Sequence, residues 1–282
     1  VSVVAGADSV PPASPDPAPS GPPASSAWER AWGTPFVAVV GYTLRGCLPA
    51  KRWWGVLLPC LGAVVFGWLA RLAHTSEDDV SAVEAFGVVA QQGLFGLVLP
   101  LTCLVIGDAV MGADIRSGTF PLTWLSPVSL RTIAVGRWFG GWLVATVTIV
   151  PALALSAVVA GVPAPGRAAV AMALSAFTGS AAYIALFIMI GAWVRRSAVW
   201  SLAIVALGER LLGQALSGIA QLSPMWEAQQ VYAGLGPGGY QLERDGTPQG
   251  WGAVVRLALV VVVTLAVATW RLRRLSPTGG DE

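Results

Sequence analysis

Six stretches of the chain are apolar for the length of a membrane-crossing helix, which takes roughly 20 residues to traverse about 30 Å of hydrocarbon. They are Trp53–Ala70, Ala85–Gly107, Trp138–Ala160, Ala168–Val194, Ala198–Ala220 and Trp251–Trp270. Pro100 lies inside the second, where membrane helices tolerate it as a kink. The fifth is the least apolar because it carries Glu209, Arg210 and Gln214, and the sixth contains the unbroken run Leu257–Val263. Only 11% of the residues are charged, against about 25% in soluble domains, so a water-exposed surface cannot be assembled around these stretches. A net charge of +2 leaves no basic stripe for a phosphate backbone, which excludes a nucleic-acid partner. The expectation is an all-α membrane protein with six transmembrane helices.

The stretches divide the rest of the chain. Residues 1–27 are Pro, Ala, Ser and Gly with two aspartates, a composition with nothing to bury, and read as a disordered tail. They lack the basic and apolar regions of a signal peptide. Residues 28–52 mix apolar positions with Glu29, Arg30, Arg45, Lys51 and Arg52. Pro35 suits the first turn of a helix over Phe36–Leu48. Phe36, Val37, Val40, Leu44 and Leu48 share one face there, and a stripe ending in a basic cluster predicts an amphipathic helix lying at the membrane surface. Pro49 separates it from the first span. Residues 53–275 form the transmembrane domain and 276–282 a tail. Twelve of the 17 basic residues fall in connections on one side, Arg137 among them, and Arg71, Arg167 and Arg244 on the other. By the positive-inside rule both termini are cytoplasmic, as in a multi-pass protein of a bacterial plasma membrane. Trp53, Trp54, Trp138, Trp193, Trp200, Trp251 and Trp270 mark span ends at the headgroup layer.

Enzymatic chemistry finds little to work with. Cys47, Cys60 and Cys103 form no CxxC and read as small buried hydrophobes. His74 is the sole histidine and sits in a polar loop with Ser76, Glu77, Asp78 and Asp79. A zinc site of the HExxH kind needs two histidines, so no metal site is expected. The glycine cluster Gly234–Gly239 with Pro237 reads as a turn on the outer side. It is no phosphate cradle, since no helix with a nearby lysine follows.

The most specific segment is Met111–Arg137, between the second and third spans. It is too polar at its start to cross the membrane and is interrupted by Gly118, Pro121 and Pro127. It predicts a helix end, a sharp turn at Ser117–Gly118–Thr119, a short helix reaching Leu125, and a new helix from Pro127 capped by Ser126. Phe120, Leu122, Trp124 and Leu125 are more apolar than a mere connection needs, which marks the segment as a docking surface for a soluble partner.

This segment resembles the cytoplasmic signature of ABC-2 type transporter permeases. Asp114 stands at the acidic position, Gly118-Thr119 at the Gly-Thr pair, Ser126-Pro127 with Ser129 at the proline turn, and Gly136-Arg137 at the pair entering the third span. Two departures are local: Ile115 precedes Arg116 where the family has arginine directly after the acid, and Trp124 replaces a common leucine. The six-span plan, the amphipathic N-terminal helix and Ser223-Pro224 at the head of a long outer connection fit the same family. The resemblance implies a permease subunit that exports a substrate and is not itself an enzyme. A separate P-loop ATPase subunit would hold ATP and Mg, with no cofactor in this chain. The chain's one lysine, Lys51, is followed by Arg52 and cannot complete a P-loop, which needs Gly-Lys-Ser/Thr to cradle phosphates. A homodimer or a sister permease would complete the path, amid membrane lipid. Asp114, Arg116, Gly118, Thr119, Ser126, Pro127 and Arg131 would then carry ATPase docking.

Charges within the spans form a second set. Glu209 and Arg256 lie at depths differing by about 5 Å at helical rise, and buried charges seek partners, so a Glu209–Arg256 pair is expected. Gly136-x3-Gly140 has the small-xxx-small spacing that lets helices approach closely. With 33 glycines chance makes several such matches, and a dimer contact is one use of it. Three other classes stand beside this one: a secondary transporter driven by an ion gradient through Glu209, a non-transporting membrane scaffold, and an intramembrane enzyme. The last is disfavoured by the lone histidine and by the lack of paired carboxylates at one depth.

Overall fold

The computed structural model describes residues 35–47, 50–76, 81–114, 128–194, 197–205, 207, 223–237, 242 and 248–274. Among them the chain is helical, with no strand. In chain order the helices are α1 (Pro35–Cys47), α2 (Ala50–Ser76), α3 (Ala82–Gly112), α4 (Leu130–Val159), α5 (Pro165–Trp193), α6 (Ser197–Ala203), α7 (Pro224–Leu235) and α8 (Trp251–Arg274). Five of them, α2 from Trp53 onward and all of α3, α4, α5 and α8, are long and apolar enough to cross a membrane. They correspond to the first, second, third, fourth and sixth predicted spans, and make this a multi-pass membrane protein. Most of the predicted fifth span, Glu209 included, lies outside the described residues, as do residues 1–27.

Burial separates centre from periphery. The most apolar stretches of α3 and α5 are 67% buried, whereas those of α2, α4 and α8 are only 28–33% buried, so α3 and α5 form the interior. Without a hydrophobic force between helices in lipid, close packing of small residues holds such an assembly together. On α2 the inward positions Val56, Cys60, Ala63, Gly67 and Ala70 recur at alternating spacings of four and three. A Cβ at Gly67 would stand 2.9 Å from Ser156 C and Cα, so α2 and α4 touch backbone to backbone. On α5 the hydroxyl of Ser175 donates to the Ala228 carbonyl of α7. One turn along, a Cβ at Gly179 would meet Ala228 Cβ at 3.0 Å.

Pro100 is absorbed inside α3. The hydrogen bonding widens to the π pattern over Ala90–Val98, ending just before the proline, and the Leu99 amide donates to Leu94 O. A wider turn gives room to the ring that would otherwise strike the carbonyl four residues back. Ser81 starts α3 with a full capping box, its hydroxyl accepting from Glu84 N at 3.2 Å while Glu84 reaches back to Ser81 N at 3.1 Å.

Several boundaries differ from expectation. Helix α4 begins at Leu130, capped by Ser129, whose hydroxyl accepts from Thr132 N at 3.2 Å; the predicted start at Pro127 under a Ser126 cap is replaced. Trp138 is therefore about 12 Å inside the helix rather than at its end. Its indole donates to Ala181 O at 2.9 Å, and Trp142 donates to Phe177 O at 3.0 Å, stitching α4 to α5. Helix α2 runs on to Ser76, so His74 stands in its last turn rather than in a loop. Cys47, Cys60 and Cys103 are buried.

Candidate functional site

Two buried charge clusters sit at opposite ends of the bundle. The first joins α1, α3 and α4. Arg137 projects from the second turn of α4, only 1% exposed, and its Nη2 lies 2.7 Å from Asp114 Oδ2 at the end of α3. Nη1 donates to Val110 O at 2.8 Å, so the cation also serves a carbonyl near the negative end of the α3 dipole. Tyr42 of α1 closes the cluster: its hydroxyl donates to Asp114 Oδ2 at 3.5 Å, and its ring lies under the guanidinium at 5.7 Å.

Helix α1 reaches this position because the Gly136-x3-Gly140 face receives it. A Cβ at Gly136 would come 2.8 Å from Val39 Cγ1, and one at Gly140 would come 2.9 Å from Thr43 Cβ. That face is occupied by α1 of the same chain, where sequence spacing had suggested a dimer contact. The buried positions of α1 are Val40, Thr43 and Cys47; Thr43 turns inward in place of the predicted Leu44, its hydroxyl satisfied by Val39 O at 2.8 Å. A hydroxyl paired within its own helix can enter an apolar seam at little cost.

Of the predicted docking residues, Asp114 is thus in the cluster. Arg116, Gly118, Thr119, Ser126 and Pro127 lie outside the described residues. Arg131 is exposed on the first turn of α4 and faces α8, away from Asp114. Sequence reasoning counted Arg137 among loop cations, but it is the buried hub of the cluster. The signal for it was the Gly136-Arg137 pair at the close of the signature.

The second cluster is built on α7. Ser223 caps this helix by accepting from Trp226 N at 3.5 Å, and Pro224 occupies its first turn. Every residue from Pro224 to Ala233 is buried, including Glu227, Gln229 and Gln230. Arg167 ties the far end of α7 to α5 by donating to Leu235 O at 2.9 Å. Gly234 and Gly250, the latter at φ +60°, bring the end of α7 and the head of α8 into backbone contact. Gly234 and Gly236 are thus the end of a packed helix, where the sequence suggested a simple turn.

Arg256, in the second turn of α8, reaches Glu227 Oε1 at 3.3 Å; the side chains are 33% and 1% exposed. The structure therefore gives Arg256 a partner on α7, near the head of its own helix, and Glu209 lies outside the described residues. Burial pushes the Glu227 carboxyl above the ordinary carboxylate range, outweighing the Arg256 guanidinium that holds it down. Among the described residues, Glu227 Oε2, Gln230 Oε1 and both amide atoms of Gln229 are buried without a hydrogen-bond partner. Gln230 Nε2 donates to Leu242 O at 2.6 Å. Each such orphan costs about 1–3 kcal/mol, so α7 is a polar element held inside by its neighbours' packing. The sequence signal for its start was Ser223-Pro224; nothing in local hydropathy marked Glu227 as buried.

Compared with known proteins, the chain matches no family model and no curated sequence.

Proposed function

We propose that the chain is the membrane-spanning permease subunit of an ABC transporter of the ABC-2 type, exporting a substrate at the expense of ATP hydrolysed on a separate P-loop subunit. The partner docks on the stretch that begins at Asp114, through Arg116, Gly118, Thr119, Ser126 and Pro127. ATP and Mg are held by that partner. A second permease, identical or related, completes the path, with both termini cytoplasmic and α1 as the interfacial helix.

The observation that most supports this reading is the Asp114–Arg137 ion pair. It ties together the two ends of the stretch carrying the ABC-2 signature. A push on that stretch is delivered to α3 and α4 at once, because a charge pair with one partner 1% exposed cannot separate cheaply. Tyr42 carries the same displacement to α1. Arg131 has no part in this linkage, since it faces α8.

The ion-gradient alternative has one observation in its favour, the buried Glu227 with its raised carboxyl pKa and orphaned Oε2. Native mass spectrometry of the complex gently extracted from its own membrane separates the two. The permease reading expects a stoichiometric soluble P-loop ATPase bound to the chain. Recovery of the chain alone or with copies of itself, under conditions that preserve known complexes, overturns it and turns attention to Glu227.

A further inference from the structure

Between the first turn of α4 and the last turns of α8 runs a crevice of about 520 Å³, lined by Arg131 and Val135 on one wall and by Val262, Leu265, Trp270 and Arg273 on the other. That volume lies within the roughly 300–1,000 Å³ typical of ligand sites. Val262 is 64%, Trp270 47% and Val135 39% exposed, so the crevice opens sideways, toward whatever surrounds the bundle. For membrane-crossing helices that surrounding is lipid.

Its two ends differ in chemistry. Arg131 and Arg273 close one end, and neither has a hydrogen-bond, ion-pair or ring partner among the described residues. The other cations of the last α8 turn are engaged: Arg271 lies 5.3 Å from the Trp193 ring and Arg274 4.0 Å from the Trp270 ring. The remaining wall is apolar, and the one hydroxyl there, Thr269, is spent on Leu265 O at 2.7 Å. From Arg273 to Val262 the helix rises about 16 Å, close to half of the roughly 30 Å hydrocarbon thickness, which is one leaflet. At Val262 the crevice meets a second apolar groove of about 250 Å³ under Trp138, Trp142 and Phe177.

We infer that this crevice is a binding site for one anionic phospholipid from the leaflet at the Arg131–Arg273 end. Its phosphate bridges the two guanidiniums, and one acyl chain lies along Val135, Leu265 and Val262. Two arginines at one mouth with no partner among the described residues call for an anion, and arginine's planar fork suits phosphate oxygens. A leaflet-deep apolar channel behind them calls for a hydrocarbon chain. A second copy of the protein on this face would bring more arginines to the same mouth and answers neither requirement. The site stands on α4 and α8 alone and does not depend on what the protein transports.

The test uses the full chain in nanodiscs of phosphatidylcholine containing a minor share of phosphatidylglycerol, released into native mass spectrometry. The wild type is expected to retain one phosphatidylglycerol, with a preference over phosphatidylcholine that Arg131→Gln/Arg273→Gln reduces about thirtyfold, roughly fivefold per arginine. Ala266 lines the same α8 wall, and Ala266→Trp, which fills the channel and leaves both arginines in place, is expected to abolish retention. Arg45→Gln, which removes one exposed charge from α1 where the double variant removes two, is expected to leave it intact. Equal retention of the two lipids by the wild type overturns the inference, as does an equal loss in Arg45→Gln. Cross-linking of Val262→Cys to a second copy in place of lipid overturns it too. The melting temperature of each variant in detergent without added lipid separates loss of the site from loss of the fold.

Discussion

Removing Arg256 isolates the electrostatics of α7. Its partner Glu227 is 1% exposed and has one carboxylate oxygen on Arg256 and the other on no hydrogen-bond partner among the described residues. Stripping the counter-charge from a fully buried pair costs about 3–5 kcal/mol. Here the cost is smaller for two reasons. Arg256 is 33% exposed, so water already screens part of the attraction, and the stranded carboxyl can take up a proton instead of staying charged. Arg256→Met is therefore expected to destabilise the folded state by about 1–3 kcal/mol at pH 8.

The pH dependence has a definite sign. The folded-state pKa of Glu227 is raised by burial despite Arg256, so between the unfolded and the folded pKa the folded chain holds a proton that the unfolded chain has released. Stability from this group is therefore greatest below the unfolded carboxyl pKa and falls as pH rises through the window up to the folded pKa. Arg256→Met widens that window upward, so its penalty grows with pH and should be smaller at pH 5 than at pH 8. Glu227→Gln should flatten the slope, and Glu227→Gln/Arg256→Met should recover most of the single-variant loss at pH 8. Denaturant titration in mixed micelles at both pH values measures all of this. A penalty for Arg256→Met that is the same at pH 5 and pH 8, or single-variant costs that simply add within about 0.5 kcal/mol, would refute the pairing.

At the opposite end, Asp114→Asn is expected to cost about 2–3 kcal/mol and to cost more than Arg137→Met. It leaves behind a guanidinium 1% exposed, whereas the reverse change leaves a carboxylate 18% exposed that water can reach; unfolding titrations showing the opposite order would reject this account of the cluster. Gly67→Ala should cost about 1–3 kcal/mol, because its Cβ meets Ser156 backbone atoms at 2.9 Å and backbone cannot rotate aside. Gly62→Ala, with nothing within 4 Å, should be neutral or stabilising by up to about 1 kcal/mol, and equal melting shifts for the two would sink the close-approach argument.

What the sequence makes legible here is set by which physical quantity the residues encode. Hydropathy reports that a segment prefers lipid or protein to water, and five spans follow from it with boundaries shifted by up to eight residues. It does not report which face meets protein, since both faces of α2 are apolar. The seam Val56–Cys60–Ala63–Gly67–Ala70 differs from the lipid side, with Trp54, Leu58 and Leu61, in side-chain size rather than polarity. Spacing alone proposed a close approach at Gly136 and Gly140 and left its partner open; that partner is α1, whose Val39 and Thr43 fit the gap. Helix α4 starts at Leu130 under Ser129 rather than at Pro127 under Ser126, and Arg137, about two turns in, is aimed at Asp114.

The intramembrane charges show the same limit from another side. Helical rise converts a residue number into a height along a span, and height alone made Glu209 a candidate partner for Arg256. Which charges meet also depends on the angular position of each helix and on what fills the space between them. Segment 221–250 is polar enough to be read as a water-exposed connection. Yet α7 folds inward because α5 offers small residues, Ser175 and Gly179, against which Ala228 can seat. Once α7 is seated, Glu227 is carried to the head of α8 and pairs with Arg256 near the end of that helix rather than in mid-membrane. The location of the charge pair is thus decided by small apolar contacts on α5, and a bulky substitution at Gly179 would displace the ion pair without altering a single charge.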